Sequence, residues 1–237
     1  MQLALLCVTG AALFAVVRRI VFLRGCGCPA PARRLYMRAA WCLGLAACAA
    51  MAVQELILLL DGRLRWSNAL PLHLCSLMGL LTLPMLLTRR RMLWHWSLYL
   101  GMPGAALALL FPSILETSRP EMTALAFHLL HCTVLLAPLL PLSLGMRPRP
   151  SGAVCSMLLL LVLGFIDLGV NTLTGGNYLF LEAPASGTPL AWMARRGTAV
   201  YRLLLAGAAL LVLGAEALAV WLVGMRHRPK SSRSGRS

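Results

Sequence analysis

His128 and His131 stand three residues apart in one apolar run, and Asp167 and Asn171 four apart in another. On a helix, each spacing puts the pair on one face. His73 follows Leu70-Pro71-Leu72 at the start of an uncharged run, and Glu55 lies near the end of one more. An imidazole titrates near neutrality and suits general-base work, and a carboxylate beside it orients the ring and steadies its cationic form. In lipid such groups are costly, about 2.5–3.5 kcal/mol for a charge at the bilayer centre on insertion scales, so they are expected to face one another across a bundle. His73, His131, Asp167 and Glu55 are the candidate catalytic groups. Asn171, Asn177, Tyr178 and His128 are the candidate substrate contacts. Cys75 lies two residues beyond His73, about 200° round a helix, so a local Cys–His dyad is not expected.

These groups need elements to carry them, and the composition says which. Of 237 residues 59% are hydrophobic and 12% charged, with a mean hydropathy of +0.79. Soluble domains carry about 25% charged residues. The chain is read as an all-α polytopic membrane bundle with seven spans, Leu3–Leu23, Tyr36–Leu60, Leu70–Leu87, Met92–Phe111, Met122–Leu142, Ala153–Leu173 and Val200–Met225. Residues 1–225 form the transmembrane domain and 226–237, rich in arginine and serine, a disordered cytosolic tail. The first run has no basic residues ahead of it, and Arg18 and Arg19 fall near its far end, so it is expected to be a retained helix rather than a signal peptide.

Orientation follows from the basic residues. With the N-terminus outside, inner connections and tail hold fourteen of them, from Arg24 to Arg236, against six outside, among them Arg63, Arg65 and Arg119. The positive-inside rule therefore favours N-out, C-in, in the cell membrane. The net charge of +15 is a topology signal on this reading, since no exposed aromatics interleave with it as a nucleic-acid groove requires. Nucleic acid is excluded and membrane lipids are the expected partners.

On that topology Glu55, His73, His128, His131, Asp167 and Asn171 all fall in the outer half of the membrane. The following loop, Leu173 to Leu181, is oddly apolar and is expected to fold back as a lid, with the Asn177 amide pointing into the cavity. Gly101, Gly104, Ala105 and Ala108 form a small-residue face, and Pro103 and Pro84 are expected to perturb their helices. The eight cysteines lie mostly within apolar runs, so no disulfide framework is implied. No metal or cofactor is called for. A zinc variant built on His73, His128 or His131 and Asp167 lacks the usual close histidine spacing.

Four motifs carry a resemblance: Leu70-Pro71-Leu72-His73-Leu74-Cys75, Leu109-Leu110-Phe111-Pro112, His131 ahead of Leu135-Leu136-Ala137-Pro138-Leu139, and Gly176-Asn177-Tyr178-Leu179-Phe180-Leu181. In order and spacing they resemble the YwaF-like family of integral membrane proteins, typified by a treponemal protein. The resemblance implies architecture first. Distant eukaryotic relatives look like phospholipid acyltransferases that use a cysteine beside the histidine of a Pro-x-His motif. The histidine carries over as His73, and the position beside it is Leu72, so the base is matched and the nucleophile is not.

Three functions compete on these residues. A lipid acyltransferase or hydrolase would use His73 as base, oriented by Glu55 or Asp167. A proton-coupled or small-solute transporter would use the same groups as a relay and would show broken helices in matching halves. A non-catalytic scaffold would use them only to fix helix register.

Overall fold

The computed structural model describes residues 2–226 apart from 186 and 189. Among them the chain is all helix, turn and coil, with no strand. The long elements are α1 (Gln2–Gly25), α2 (Pro29–Leu60), α3 (Leu74–Thr88), α4 (Arg91–Trp96) running through a π-helical turn (Ser97–Gly101) into α5 (Met102–Leu110), α6 (Pro120–Leu136) with a 3-10 extension (Ala137–Leu144), and α7 (Ser151–Thr174). A 3-10 turn (Tyr178–Phe180) and the short α8 (Ala191–Ala194) lead into α9 (Thr198–Arg226). Five units are long and apolar enough to cross a membrane: α1, α2, α6 with its extension, α7 and α9. α3 is apolar but shorter, 15 residues. The tail expected to be disordered lies outside the described residues beyond Arg226.

The bundle shows lipid its apolar side. Leu173, Phe165 and Leu211 stand 75–87% exposed, while Asp167, Asn171 and Thr82 are buried. A soluble protein would reverse that arrangement. Inside, small residues set the spacing. A Cβ on Gly44 of α2 would lie 2.5–2.9 Å from atoms of Leu83, its Cα included, so α2 and α3 are in backbone contact there. The predicted small-residue face also packs: at Gly101 a Cβ would come within 3.3 Å of Met78 and Val134, and at Gly104 within 3.3 Å of Leu74.

The prolines act through the hydrogen bonds they remove. Pro103 has no N–H and crowds the preceding turn, and the helix widens just before it: the Met102 N–H reaches back five residues to the Ser97 carbonyl. In the 3-10 extension, Pro141 cannot supply the N–H that the Pro138 carbonyl would take. The Trp94 indole N–H donates there instead, at 2.8 Å. Two residues before the end of α3 the Leu86 carbonyl is left over, and the Tyr36 hydroxyl donates to it at 2.9 Å.

Two predicted boundaries move. The connection expected over Arg24–Arg34 shrinks to Cys26–Cys28, because α2 begins at Pro29, whose fixed φ suits a first helical position. The span expected from Leu70 begins its helix only at Leu74: Pro71 disfavours helical geometry at Leu70, and the Leu70 N–H is claimed from elsewhere in the chain. All eight cysteines are free thiols.

Candidate functional site

The four residues Leu70 to His73 are a short non-helical approach to α3. His73 is its last member, with extended backbone (φ −60°, ψ 136°), so its side chain is aimed by the approach and not by helical periodicity. The angular argument that separated it from Cys75 therefore does not apply. The Cys75 thiol faces Gly104 on α5, where a Cβ would lie 3.7 Å from Sγ. The imidazole sits between two aromatic rings of the loop after α7, Tyr178 at 5.2 Å between centroids and Phe180 at 5.3 Å. Offset, tilted rings at such distances attract through their quadrupoles and hold the imidazole plane.

That loop is fastened at every atom that matters. The Tyr178 N–H donates to Asn171 Oδ1 at 2.7 Å, and Asn171 Nδ2 donates back to the Tyr178 carbonyl at 3.1 Å. The Tyr178 hydroxyl donates to the Trp66 carbonyl at 2.7 Å and accepts from the Leu70 N–H at 3.1 Å. Tyr201 on α9 donates to the Phe180 carbonyl at 2.7 Å, and Arg202 Nε to that of Leu181 at 3.0 Å. Leu179 and Phe180 hold left-handed backbone at φ 53° and 55°, which costs of the order of 1–3 kcal/mol for each non-glycine residue. Such a conformation persists because the bonds on either side over-determine it. It turns Phe180 back onto His73.

Glu55 on α2 and Asp167 on α7 act on the Tyr178 hydroxyl. Burial raises the Tyr178 hydroxyl above its ordinary pKa; the Leu70 N–H pulls the other way, and the carboxyls of Glu55 and Asp167 lie near enough to push it up further. Asp167 is fully buried, and neither of its oxygens has a hydrogen-bond partner among the described residues. Among the described residues neither carboxyl hydrogen-bonds His73, and its ring contacts are Tyr178 and Phe180. Beside the group an open groove of about 680 Å³ has Arg65, Trp66, Ser67, Leu173 and Thr174 among its walls.

The structure divides the eight candidates. His73 flanks the Tyr178 ring, Asn171 holds the Tyr178 backbone, and Glu55 and Asp167 act on its hydroxyl. His128 and His131 are buried on α6 and share the Phe127 ring, at 5.5 and 4.1 Å. His131 Nδ1 donates to the Phe127 carbonyl at 2.7 Å, which leaves Nε2 as its free nitrogen. No hydrogen bond or ring contact joins either histidine to His73 among the described residues. Asn177 departs from the expected inward amide: its Oδ1 accepts from the Glu182 and Ala183 N–H groups at 2.9 and 3.2 Å, and its Nδ2 donates to the Ala183 carbonyl at 2.9 Å. Short loop backbone absorbs that amide, and the ring of Tyr178 takes the inward place. No three of histidine, cysteine, aspartate and glutamate converge closely enough for a metal ion among the described residues, so the zinc variant has no ligand set.

Sequence reasoning passed over His95. It lies between Trp94 and Trp96 and is buried, its Nε2 without a partner among the described residues. A histidine inside an apolar run was the available signal.

The model of the TMEM164 family matches residues 1–225, which is nearly the whole chain. The chain belongs to the TMEM164 family. Membership makes it a multi-pass transmembrane protein, in keeping with the apolar helices. Neither the curated proteins nor the solved structures contain a match. The TMEM164 match covers the His73 approach, α7 and the Tyr178 loop alike.

Proposed function

We propose that this TMEM164-family chain is a membrane-embedded enzyme that transfers or hydrolyses acyl groups on lipids, with His73 as general base. The observation that carries the reading is the placement of His73, an imidazole on a non-helical segment, held between the rings of Tyr178 and Phe180. The motif resemblance to YwaF-like proteins and to transmembrane phospholipid acyltransferases points the same way. His73 takes the proton from an attacking hydroxyl, of water in hydrolysis or of an acceptor lipid in transfer, as the oxygen bonds to the acyl carbonyl carbon. When the tetrahedral intermediate breaks the old ester C–O bond, the imidazolium returns that proton to the leaving alkoxide. Glu55 and Asp167 supply negative charge on the Tyr178 side of the imidazole, and Asn171 acts by positioning Tyr178.

With α3 and the α4–α5 unit counted as crossings, the bundle spans seven times. The distribution of arginines supports an outside N-terminus and, with it, a site in the outer half of the cell membrane. Comparative lipidomics of cells expressing wild type and a His73→Ala/Asp167→Asn variant at matched levels tests the activity. A shifted acyl profile in the wild type alone is expected, and indistinguishable profiles would sink it.

A second reading, transport, is supported by two irregular crossings, the π turn at Ser97–Gly101 and the 3-10 extension at Ala137–Leu144. Proteoliposomes that carry a proton flux abolished by Asp167→Asn, with lipids unaltered, would favour it.

A further inference from the structure

α2 is longer than a crossing needs. Its 32 residues rise about 48 Å, against a hydrocarbon core of about 30 Å. From Ala39 to its end the helix is apolar except for Gln54 and Glu55, so the surplus is its first turns, where Arg33, Arg34 and Arg38 lie. Trp41, 45% exposed, stands one turn deeper, at the level where indoles settle between headgroups and chains. Measured from Trp41, Arg38 is about 4.5 Å and Arg34 about 10.5 Å further out. By that reckoning Arg33, Arg34 and Arg38 fall at headgroup depth.

They also lack counter-charges. The first acidic residue of the chain is Glu55, at the far end of α2, and the ion pairs among the described residues, Arg119–Asp61 and Arg202–Glu182, do not involve this end. Arg24, by contrast, is tied down, donating to the Ser143 carbonyl at 2.7 Å. Arg33, Arg34 and Arg38 are exposed and make no hydrogen bond or ion pair among the described residues. With Ala30 and Met37 they line an open groove of about 440 Å³, room for a phosphate and its immediate substituents. Guanidiniums present a fork of donors that matches a phosphate two oxygens at a time.

We propose that this groove is a docking site for the headgroup of an anionic phospholipid. The proposal is independent of the enzymatic reading, since it lies on the surplus turns of α2, at the opposite end of that helix from Glu55. Each basic residue near an anionic surface is worth about a fivefold change in affinity, so loss of three predicts roughly a hundredfold weakening.

The test uses the full chain in detergent, titrated with phosphatidylserine, phosphatidylcholine or inorganic phosphate, with retained lipid counted by native mass spectrometry. Wild type is expected to retain phosphatidylserine over phosphatidylcholine. Arg33→Gln/Arg34→Gln/Arg38→Gln should lose that preference, and Arg195→Gln/Arg196→Gln should keep it. Should the triple variant fail to fold, the wild type decides alone, because its selectivity should fall as salt rises. Equal retention of the two lipids, a preference unchanged in a folded triple variant, or inorganic phosphate displacing the lipid at equal concentration would each overturn the proposal.

Discussion

Tyr178 ties the site together through both its hydroxyl and its ring. Its hydroxyl joins the Trp66 carbonyl to the Leu70 N–H, and its ring flanks His73. Tyr178→Phe keeps the ring and strands both backbone groups, so it is expected to cost about 1–3 kcal/mol, read as a lowered melting temperature in detergent. Asn171→Ala should lower stability comparably and also any His73-dependent activity, because the amide reaches His73 only through Tyr178. A second residue-scale effect lies outside the bilayer. The Ser118 hydroxyl and N–H, with Arg119 and Arg63 nearby, hold the Asp61 carboxyl below its ordinary value of 3.8. A lowered folded pKa means that the contact stabilises above 3.8 and is lost as pH falls through the folded value. Acid should therefore loosen the junction of α2 with the segment before α6. Limited proteolysis across pH should show that loosening in wild type and a flat response in Asp61→Asn.

Elements were legible where lipid alone dictates them. Apolar length gave α7 to within two residues at either end, Ala153–Leu173 expected against Ser151–Thr174 observed. The start of α2 was not legible, since Arg33, Arg34 and Arg38 look like loop in a hydropathy reading, yet a helix tolerates arginines once it leaves the hydrocarbon. The unwinding of Leu70–His73 was half legible. Pro71 announced it, whereas the hydroxyl that captures the Leu70 N–H lies 108 residues further on. For the same reason a shared level for Glu55, Asp167 and Asn171 could be argued from depth, and the ring pair holding His73 could not. Depth also grouped His128 and His131 with them, since it says nothing of which neighbour a helix face meets. Close approach gives the prediction at this scale. Gly44→Val drives a side chain into the Leu83 backbone and should cost about 1–3 kcal/mol or more in thermal unfolding. Gly164→Ala, with nothing within 4 Å, should be neutral or mildly stabilising.

At the scale of the molecule, charge is sorted by end. Asp61, Glu116, Glu121 and Glu182 gather at the end where α2 stops, and the opposite end carries arginines with a single carboxyl, Glu216, on the nearest helix half. The α3 helix adds an asymmetry of its own. Fifteen residues rise only about 22 Å, several ångströms less than the hydrocarbon they face. On the proposed seven-crossing reading the leaflet above His73 would dip to meet so short a helix, and the dimple would let water down to the imidazole without any opening motion. Bilayers built from longer acyl chains should dry that dimple. Exchange of the His73 ring proton, followed by NMR across a series of chain lengths, should slow as the membrane thickens. An unchanged exchange rate would mean that the surrounding helices, rather than the thinned leaflet, set how wet this histidine is.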